Sequence, residues 1–302
     1  MSSSNFKSGY VSVSGVPNAG KSTLINRILG TKLLAVSDKP QTTRNKILGI
    51  FNIKDAQILF LDTPGWHDID KDINQFYVNE AMSACKDADV IVYLFDSAKI
   101  DQKGLKLDDA FMEEITKTGL KQKVLPVLSK VDMLSDKVVV ELAAKLKGRY
   151  SFKEDLLLLS SEKSLGVNEL ISKVKDRLPE GPAYYPQDEL TDRNMRFLCA
   201  EIIREKVFLL TKEEIPYSVA VQVMDYQEKD TLHKISAEIY VERDSQKSIL
   251  IGKSGEMIKQ IGTTARKDIE ELAGSKVFLE LFVKVKKNWT KDEQFLKELG
   301  YK

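Results

Sequence analysis

Eight consecutive residues, Gly15-Val16-Pro17-Asn18-Ala19-Gly20-Lys21-Ser22, carry the first chemistry legible in this 302-residue chain. The pattern GxxxxGK[ST] holds phosphate when it follows a strand and opens a helix. Its glycines permit a tight loop whose backbone N–H groups turn onto phosphate oxygens, and the helix N-terminus adds partial positive charge. On this reading Gly15, Val16, Pro17, Asn18, Ala19, Gly20 and Thr23 cradle the phosphates. Lys21 reaches the β- and γ-phosphates, and the Ser22 hydroxyl is a Mg²⁺ ligand. A plain glycine-rich turn is the alternative, and the strand-to-helix placement argues against it.

Three downstream motifs bear on which nucleotide fits. Asp62-Thr63-Pro64-Gly65 closes a strand. Asp62 there reaches Mg²⁺ through water, and Gly65 can turn its N–H onto a γ-phosphate. Ser129-Lys130-Val131-Asp132 also follows a strand. A carboxylate at Asp132 accepts both N1–H and the 2-amino group of guanine, a donor pair that adenine lacks, while Lys130 lies along the base. Ser160, Ser161 and Glu162 follow the next strand, where backbone N–H groups can meet the guanine O6. Together these imply GTP and GDP with Mg²⁺. Trp66 stands where many such enzymes place a water-orienting Gln, so hydrolysis must rest on other groups. His67 beside it reads as a solvated loop residue.

These loops need a frame that presents strand ends. Short β-rich runs cover residues 10–14, 46–53, 57–61, 90–95, 123–128 and 156–160. Helical patterns over 21–29, 73–85, 106–117, 137–149 and 167–178 lie between most of them. The alternation predicts an α/β, doubly wound, mostly parallel sheet. Only Lys54-Asp55-Ala56 separates the second and third runs, too little for a crossover helix, so that pair must be an antiparallel edge hairpin. Three prolines and a glycine within residues 178–186 end this pattern. The expected domains are 1–180, a linker at 181–192, and 193–302.

The second region reads α-β-β-α-α-β. A helix covers 194–210, strands cover 218–226 and 233–242, and two helical stretches meet at Gly252-Lys253-Ser254-Gly255 before a last strand over 277–286. A GXXG loop between two helices, in this order, is that of a type II KH domain, which clamps about four nucleotides of single-stranded RNA. The expected RNA contacts are Lys247, Ile251, Gly252, Lys253, Ser254, Gly255, Lys259 and Arg266. Residues 243–267 hold six basic and two acidic side chains, although residues 181–302 are otherwise net acidic. A solvated helix face is the alternative for Arg266 and Lys267.

Whole-chain arithmetic narrows the rest. Hydrophobic residues at 42% and charged residues at 30% exclude a disordered or collagen-like chain. With 46 basic and 45 acidic residues, nucleic-acid binding requires a local patch. Two distant cysteines, Cys85 and Cys199, exclude a disulfide framework and a CxxC metal site. No apolar run nears the ~20 residues that span a bilayer, and residues 1–7 form no signal core, so a cytoplasmic location is expected.

Taken in order, these motifs resemble those of the Era family of ribosome-assembly GTPases, over essentially the whole chain. The resemblance extends to Pro40-Gln41-Thr42-Thr43-Arg44, the family's first switch, and to the closing residues 282–301 with Trp289. It implies that Thr43, or alternatively Thr42, senses Mg²⁺ and the γ-phosphate. It implies that Asn18 holds a K⁺ ion beside the phosphates; a purely turn-forming Asn18 is the alternative. The catalytic set is then Asn18, Lys21, Thr43 and Gly65, with Ser22, Thr43 and Asp62 at the metal. The implied function is slow GTP hydrolysis coupled to binding the 3′ end of 16S rRNA during 30S assembly. A monomeric bacterial cytoplasmic protein with at most peripheral inner-membrane association completes it. The rivals are a non-enzymatic RNA clamp and an RNA-modifying GTPase. The latter lacks any Cys or His constellation to serve it. Two departures stand out. Ser129 replaces the family's usual Asn, which braces the phosphate loop; the shorter hydroxyl is expected to reach it through water or not at all. Ser-Ser-Glu at 160–162 replaces Ser-Ala-Lys, which a backbone contact tolerates.

Overall fold

The computed structural model describes residues 6–37, 47–63, 65–66, 72–103, 105–211, 215–229 and 231–299. Two compact units result: Met1–Gly30 with Lys46–Asp192, and Thr31–Asn45 with Arg193–Lys302.

In the first unit the elements run β1 (Lys7–Gly15), α1 (Lys21–Leu29), β2 (Ile47–Ile53), β3 (Ala56–Asp62), α2 (Asp72–Asp87), β4 (Val90–Asp96), α3 (Ser97–Lys103), α4 (Lys106–Lys117), β5 (Val124–Ser129), α5 (Asp136–Tyr150), β6 (Leu157–Leu159) and α6 (Val167–Arg177). The sheet order is β2-β3-β1-β4-β5-β6. Every pairing is parallel except β2 with β3, where Ile53 lies opposite Ala56. Lys54 and Asp55 alone connect those strands, and so short a link permits only an antiparallel return. All seven residues of β3 and all seven of β4 are buried, the mark of strands covered on both faces. A cluster that includes Tyr93, Phe95, Phe111, Tyr150 and Phe152 fills one face. Because the sheet is parallel, the carboxyl ends of β1, β3, β5 and β6 lie at one edge of the unit, where such folds bind ligands.

Three details depart from the sequence reading. β6 is three residues long, shorter than the run over 156–160. Helix α3 has no counterpart there; seven residues with Ile100 as the one large apolar side chain show no helical period. The proline-rich stretch packs on the sheet of this unit. Pro179 O accepts from Ser8 N–H, Pro182 O accepts from Ser8 Oγ at 2.7 Å, and Gln57 Oε1 accepts from the N–H groups of Tyr184 and Tyr185.

The second unit runs α7 (Met195–Leu210), β7 (Ala220–Gln227), β8 (Leu232–Val241), α8 (Asp244–Ile251), α9 (Glu256–Ala273), β9 (Lys276–Val285) and α10 (Glu293–Glu298). β8 is central, antiparallel to β7 and parallel to β9. Asn194 caps α7, its Oδ1 accepting from Phe197 N–H at 3.0 Å. Ile202, Ile203, Val207 and Phe208 of α7 meet Ile261, Ala265 and Ile269 of α9 over the inner sheet face. Trp289 and Phe295 close over Ala220, and Trp289 Nε1–H donates to Ser218 O at 3.1 Å. A buried ion cluster joins Glu205 and Lys206 to Lys32 and Asp268, and Glu205 also accepts from Val36 N–H.

Candidate nucleotide and RNA sites

β1 ends at Gly15 and α1 begins at Lys21, so the phosphate loop spans the strand-to-helix turn its pattern requires. Asn18 and Gly20 adopt positive φ of 64° and 97°. Turning the chain this way gathers successive N–H groups into an anion-binding nest. The ammonium of Lys21 is 3.3 Å from Gly15 O and 3.2 Å from Val16 O. Burial pushes its pKa down to about 8; Asp62 opposes that shift, and Lys99 and Lys130 add to it. A phosphate at the loop would supply the anionic partner that favours the charged form.

Ser22 Oγ donates to Asp62 Oδ2 at 2.9 Å. Hydroxyl and carboxylate oxygens are the hard donors Mg²⁺ prefers, and this ion keeps several water or phosphate ligands rather than a full protein cage. Among the described residues no group of three or more His, Cys, Asp and Glu is placed to hold a metal. Thr63 Oγ1 donates to Val13 O at 3.0 Å, which anchors the loop after β3. Gly65 then passes against the phosphate loop so closely that a Cβ there would lie 2.9 Å from Pro17 Cα. Only glycine permits that approach. Trp66 donates its backbone N–H to Gly15 O, while its side chain is buried edge-on against Phe111 at 5.2 Å. It therefore turns into the core and has no hand in orienting water.

Ser129 corrects the expectation of a missing or water-mediated brace. Its Oγ lies 3.0 Å from Ala19 O and 3.0 Å from Phe95 O, so it braces the phosphate loop directly. Lys130, at φ 59°, sends its ammonium 2.7 Å from Asn18 O and 2.9 Å from Asp96 Oδ2. Asp132 is exposed on the single helical turn that follows, open to a base edge. Arg27 of α1 fixes the loop after β6 by donating to Ser161 O at 2.7 Å and Glu162 O at 3.2 Å. Ser160 Oγ accepts from Lys163 N–H at 3.1 Å.

Residues 15–23, Asp62, Thr63, Gly65, Ser129 and Lys130 thus converge at the carboxyl edge of the sheet, with the 160–162 loop tied in by Arg27. Thr42, Thr43, Pro64 and His67 lie outside the described residues. Sequence reasoning missed Asp96, Lys99 and Arg27, all of which touch these loops. Asp96 ends β4 and so carried a positional signal; lone basic residues on α1 and α3 carried none.

In the second unit Gly252, with φ 73° and ψ 176°, caps the end of α8, and α9 begins after Gly255. A Cβ on Gly252 would lie 2.8 Å from Met257 Cβ and 2.9 Å from Met257 N, so the tight helix–helix turn needs glycine. Lys253 and Ser254 stand exposed between the two glycines. Lys259 and Arg266, two turns apart, are exposed on α9 while Ile261, Ala265 and Ile269 are buried. Lys247 and Ile251 are half-buried on α8.

Comparison with known proteins agrees with both geometries. Residues 10–130 match the family described as "50S ribosome-binding GTPase", and residues 214–290 match the KH domain. The chain is 48% identical over 303 residues to the GTPase Era of Geobacter metallireducens and 46% identical over 302 residues to that of Geotalea daltonii, covering 100% of each chain in both pairs. Among solved structures it resembles an Aquifex aeolicus Era variant bound to GDP and AlF4⁻, with 36% identity and a TM-score of 0.87, covering 98% of this chain and 99% of that one. It matches equally an Era complex with MgGDPNP and nucleotides 1506–1542 of 16S ribosomal RNA, again at 36% identity, TM-score 0.87, and 98% and 99% coverage. The phosphate loop, guanine motif and GXXG turn, joined in one chain that aligns end to end with these relatives, place it in the Era family of GTPases.

Proposed function

We propose that this protein is a GTP-hydrolysing switch that grips the 3′ end of 16S rRNA with its KH domain and assists assembly of the 30S subunit. The observation that carries the reading is the end-to-end likeness to an Era bound at once to a GTP analogue and to that stretch of rRNA.

Each residue's part follows from its chemistry. The loop N–H groups and Lys21 hold the phosphates, and Asp132 selects guanine by accepting from N1–H and the 2-amino group. Ser22, Asp62 and the switch threonine, Thr43 with Thr42 as alternative, would hold Mg²⁺, which when bound neutralises charge on the β- and γ-phosphate oxygens. Gly65, pressed against Pro17, is the backbone donor that senses the γ-phosphate. With Trp66 turned inward, no side chain at that position orients water, and intrinsic turnover is slow. Asn18 holds K⁺ at the developing charge. Ser160, Ser161 and Glu162 offer backbone contacts to guanine. Lys247, Ile251, Lys253, Ser254, Lys259 and Arg266 surround the RNA at the Gly252–Gly255 loop, with phosphates on the basic groups.

No helix among the described residues is long and apolar enough to cross a membrane. The protein is read as a cytoplasmic monomer, touching the inner membrane at most peripherally. The direct experiment is ultraviolet crosslinking of the GTP-bound protein to 30S particles, followed by site mapping. Crosslinks from 243–267 to the 16S 3′ end are expected. Crosslinks confined to other rRNA regions would overturn the assignment.

A further inference from the structure

Five successive carbonyls of the phosphate loop accept hydrogen bonds from side chains. Lys21 serves Gly15 and Val16, Lys130 serves Asn18, and Ser129 serves Ala19. The remaining carbonyl, Pro17 O, accepts from Lys99 Nζ at 2.6 Å. Lys21, Lys130 and Ser129 belong to the phosphate and guanine motifs. Lys99 belongs to neither: it sits in the first turn of α3, three residues past β4. Its ammonium is also 3.5 Å from the buried carboxylate of Asp96, which pairs with Lys130 at 2.9 Å. One buried carboxylate therefore holds two ammonium groups, each of which reaches an adjacent carbonyl of the loop.

The peptide between Pro17 and Asn18 is trans, so its C=O and N–H point in opposite directions. An ammonium that holds the Pro17 carbonyl therefore fixes the Asn18 N–H in the opposite direction. It also polarises the peptide, which makes that N–H a stronger donor. We infer that Lys99 is a positioning residue for GTP hydrolysis, acting through the Pro17–Asn18 peptide to aim the Asn18 N–H at the transferring phosphate. In the reaction water oxygen bonds to the γ-phosphorus, and the bond from that phosphorus to the β–γ bridging oxygen breaks. The electron pair stays on the oxygen, now part of GDP, and the water protons leave with phosphate. Negative charge grows on that oxygen, and a preorganised donor stabilises it more in the transition state than in bound GTP. The same contact sets Pro17, against which Gly65 packs.

The inference rests on the GTP-hydrolysing reading, and separate measurement of GTP binding keeps the two apart. The test compares the full-length parent with Lys99→Met and Lys99→Arg in single-turnover hydrolysis, GTP and GDP binding, and thermal melting. Lys99→Met keeps the unbranched apolar stem and removes the ammonium. Its turnover should fall about five- to tenfold with GTP affinity within about twofold of the parent and melting unchanged, and Lys99→Arg should restore most of the loss. A Lys99→Met protein with parental turnover overturns the proposal. So does one whose GTP and GDP affinities fall together while kcat holds, or one whose slower turnover tracks a lower melting temperature; each makes Lys99 a structural partner of Asp96. Failure of the parent itself to bind GTP would instead sink the reading beneath it.

Discussion

Lys21 makes nucleotide affinity depend on pH in a calculable way. The group is buried, and burial lowers its pKa to about 8 in the free protein. Two phosphates nearby favour the ammonium and raise that value in the complex. Free protein therefore sheds this proton as pH climbs through about 8, and the complex keeps it. Below pH 7 both forms carry the charge and affinity is level. Between pH 7 and 9 the charged fraction of the free protein falls from about nine-tenths to about one-tenth, so GDP affinity should drop about tenfold, or ~1.4 kcal/mol. Equilibrium titration with a fluorescent GDP at constant ionic strength measures it. Lys21→Gln, uncharged throughout, binds weakly and should lack the step near pH 8, which separates Lys21 from ionisation of guanine itself. A parental affinity that is flat from pH 7 to 9 would refute the argument, as would an identical slope in Lys21→Gln.

Asp132→Asn replaces an acceptor pair with a mixed amide. Loss of two charge-assisted hydrogen bonds is worth on the order of 3 kcal/mol, so GTP should weaken over a hundredfold while xanthosine triphosphate tightens; competition binding decides it. Asn18→Ala should turn over slowly and indifferently to K⁺, whereas the parent should slow when Na⁺ replaces K⁺ at similar GTP affinity; equal parental rates in both salts would return Asn18 to a turn-forming role. Burial raises the Asp108 carboxyl, which accepts from Tyr93 Oη at 2.9 Å, to about 6. The unfolded chain releases this proton near pH 4 and the native state holds it to about 6. Stability from this group is therefore present below pH 4, falls between pH 4 and 6, and stays low above. Asp108→Asn should gain about 1–3 kcal/mol at pH 7 and nothing at pH 4, read by urea denaturation at both pH values.

The frame was legible because its signals are local. The strand-loop-helix at 10–29, the short link at Lys54-Asp55-Ala56 and the glycines at 252 and 255 each leave a mark within a few neighbouring residues. What escaped depends on register and reach. Whether Ser129 touches the phosphate loop depends on where β5 stops relative to β4; Asp96 lies opposite Ser129, and that pairing brings Ser129 Oγ to Ala19 O. Lys99 and Arg27 escaped for a different reason. Each is one basic residue on a short helix, indistinguishable in sequence from a solvated one, and only the fold brings its tip to a loop carbonyl. The burial of Trp66 was half legible: an apolar side chain cannot orient water, but its seat against Phe111 required α4 in place.

A switch that joins its two sites requires that RNA held on the GXXG loop change the rate of GTP hydrolysis. Gly252 is a poor place to test it, because any side chain there would collide with Met257. Lys253 and Ser254 are exposed, and Ser254 sits at φ 53°, a conformation Asp tolerates. The measurement is turnover with and without an oligonucleotide of the 16S rRNA 3′ end, in the parent and in the double variant Lys253→Asp, Ser254→Asp. Two new negative charges at a phosphate clamp should weaken RNA binding on the order of a hundredfold. RNA should change the parental rate severalfold and leave the variant's rate where it was. A parent indifferent to the oligonucleotide, or a variant that responds as the parent does, would contradict it.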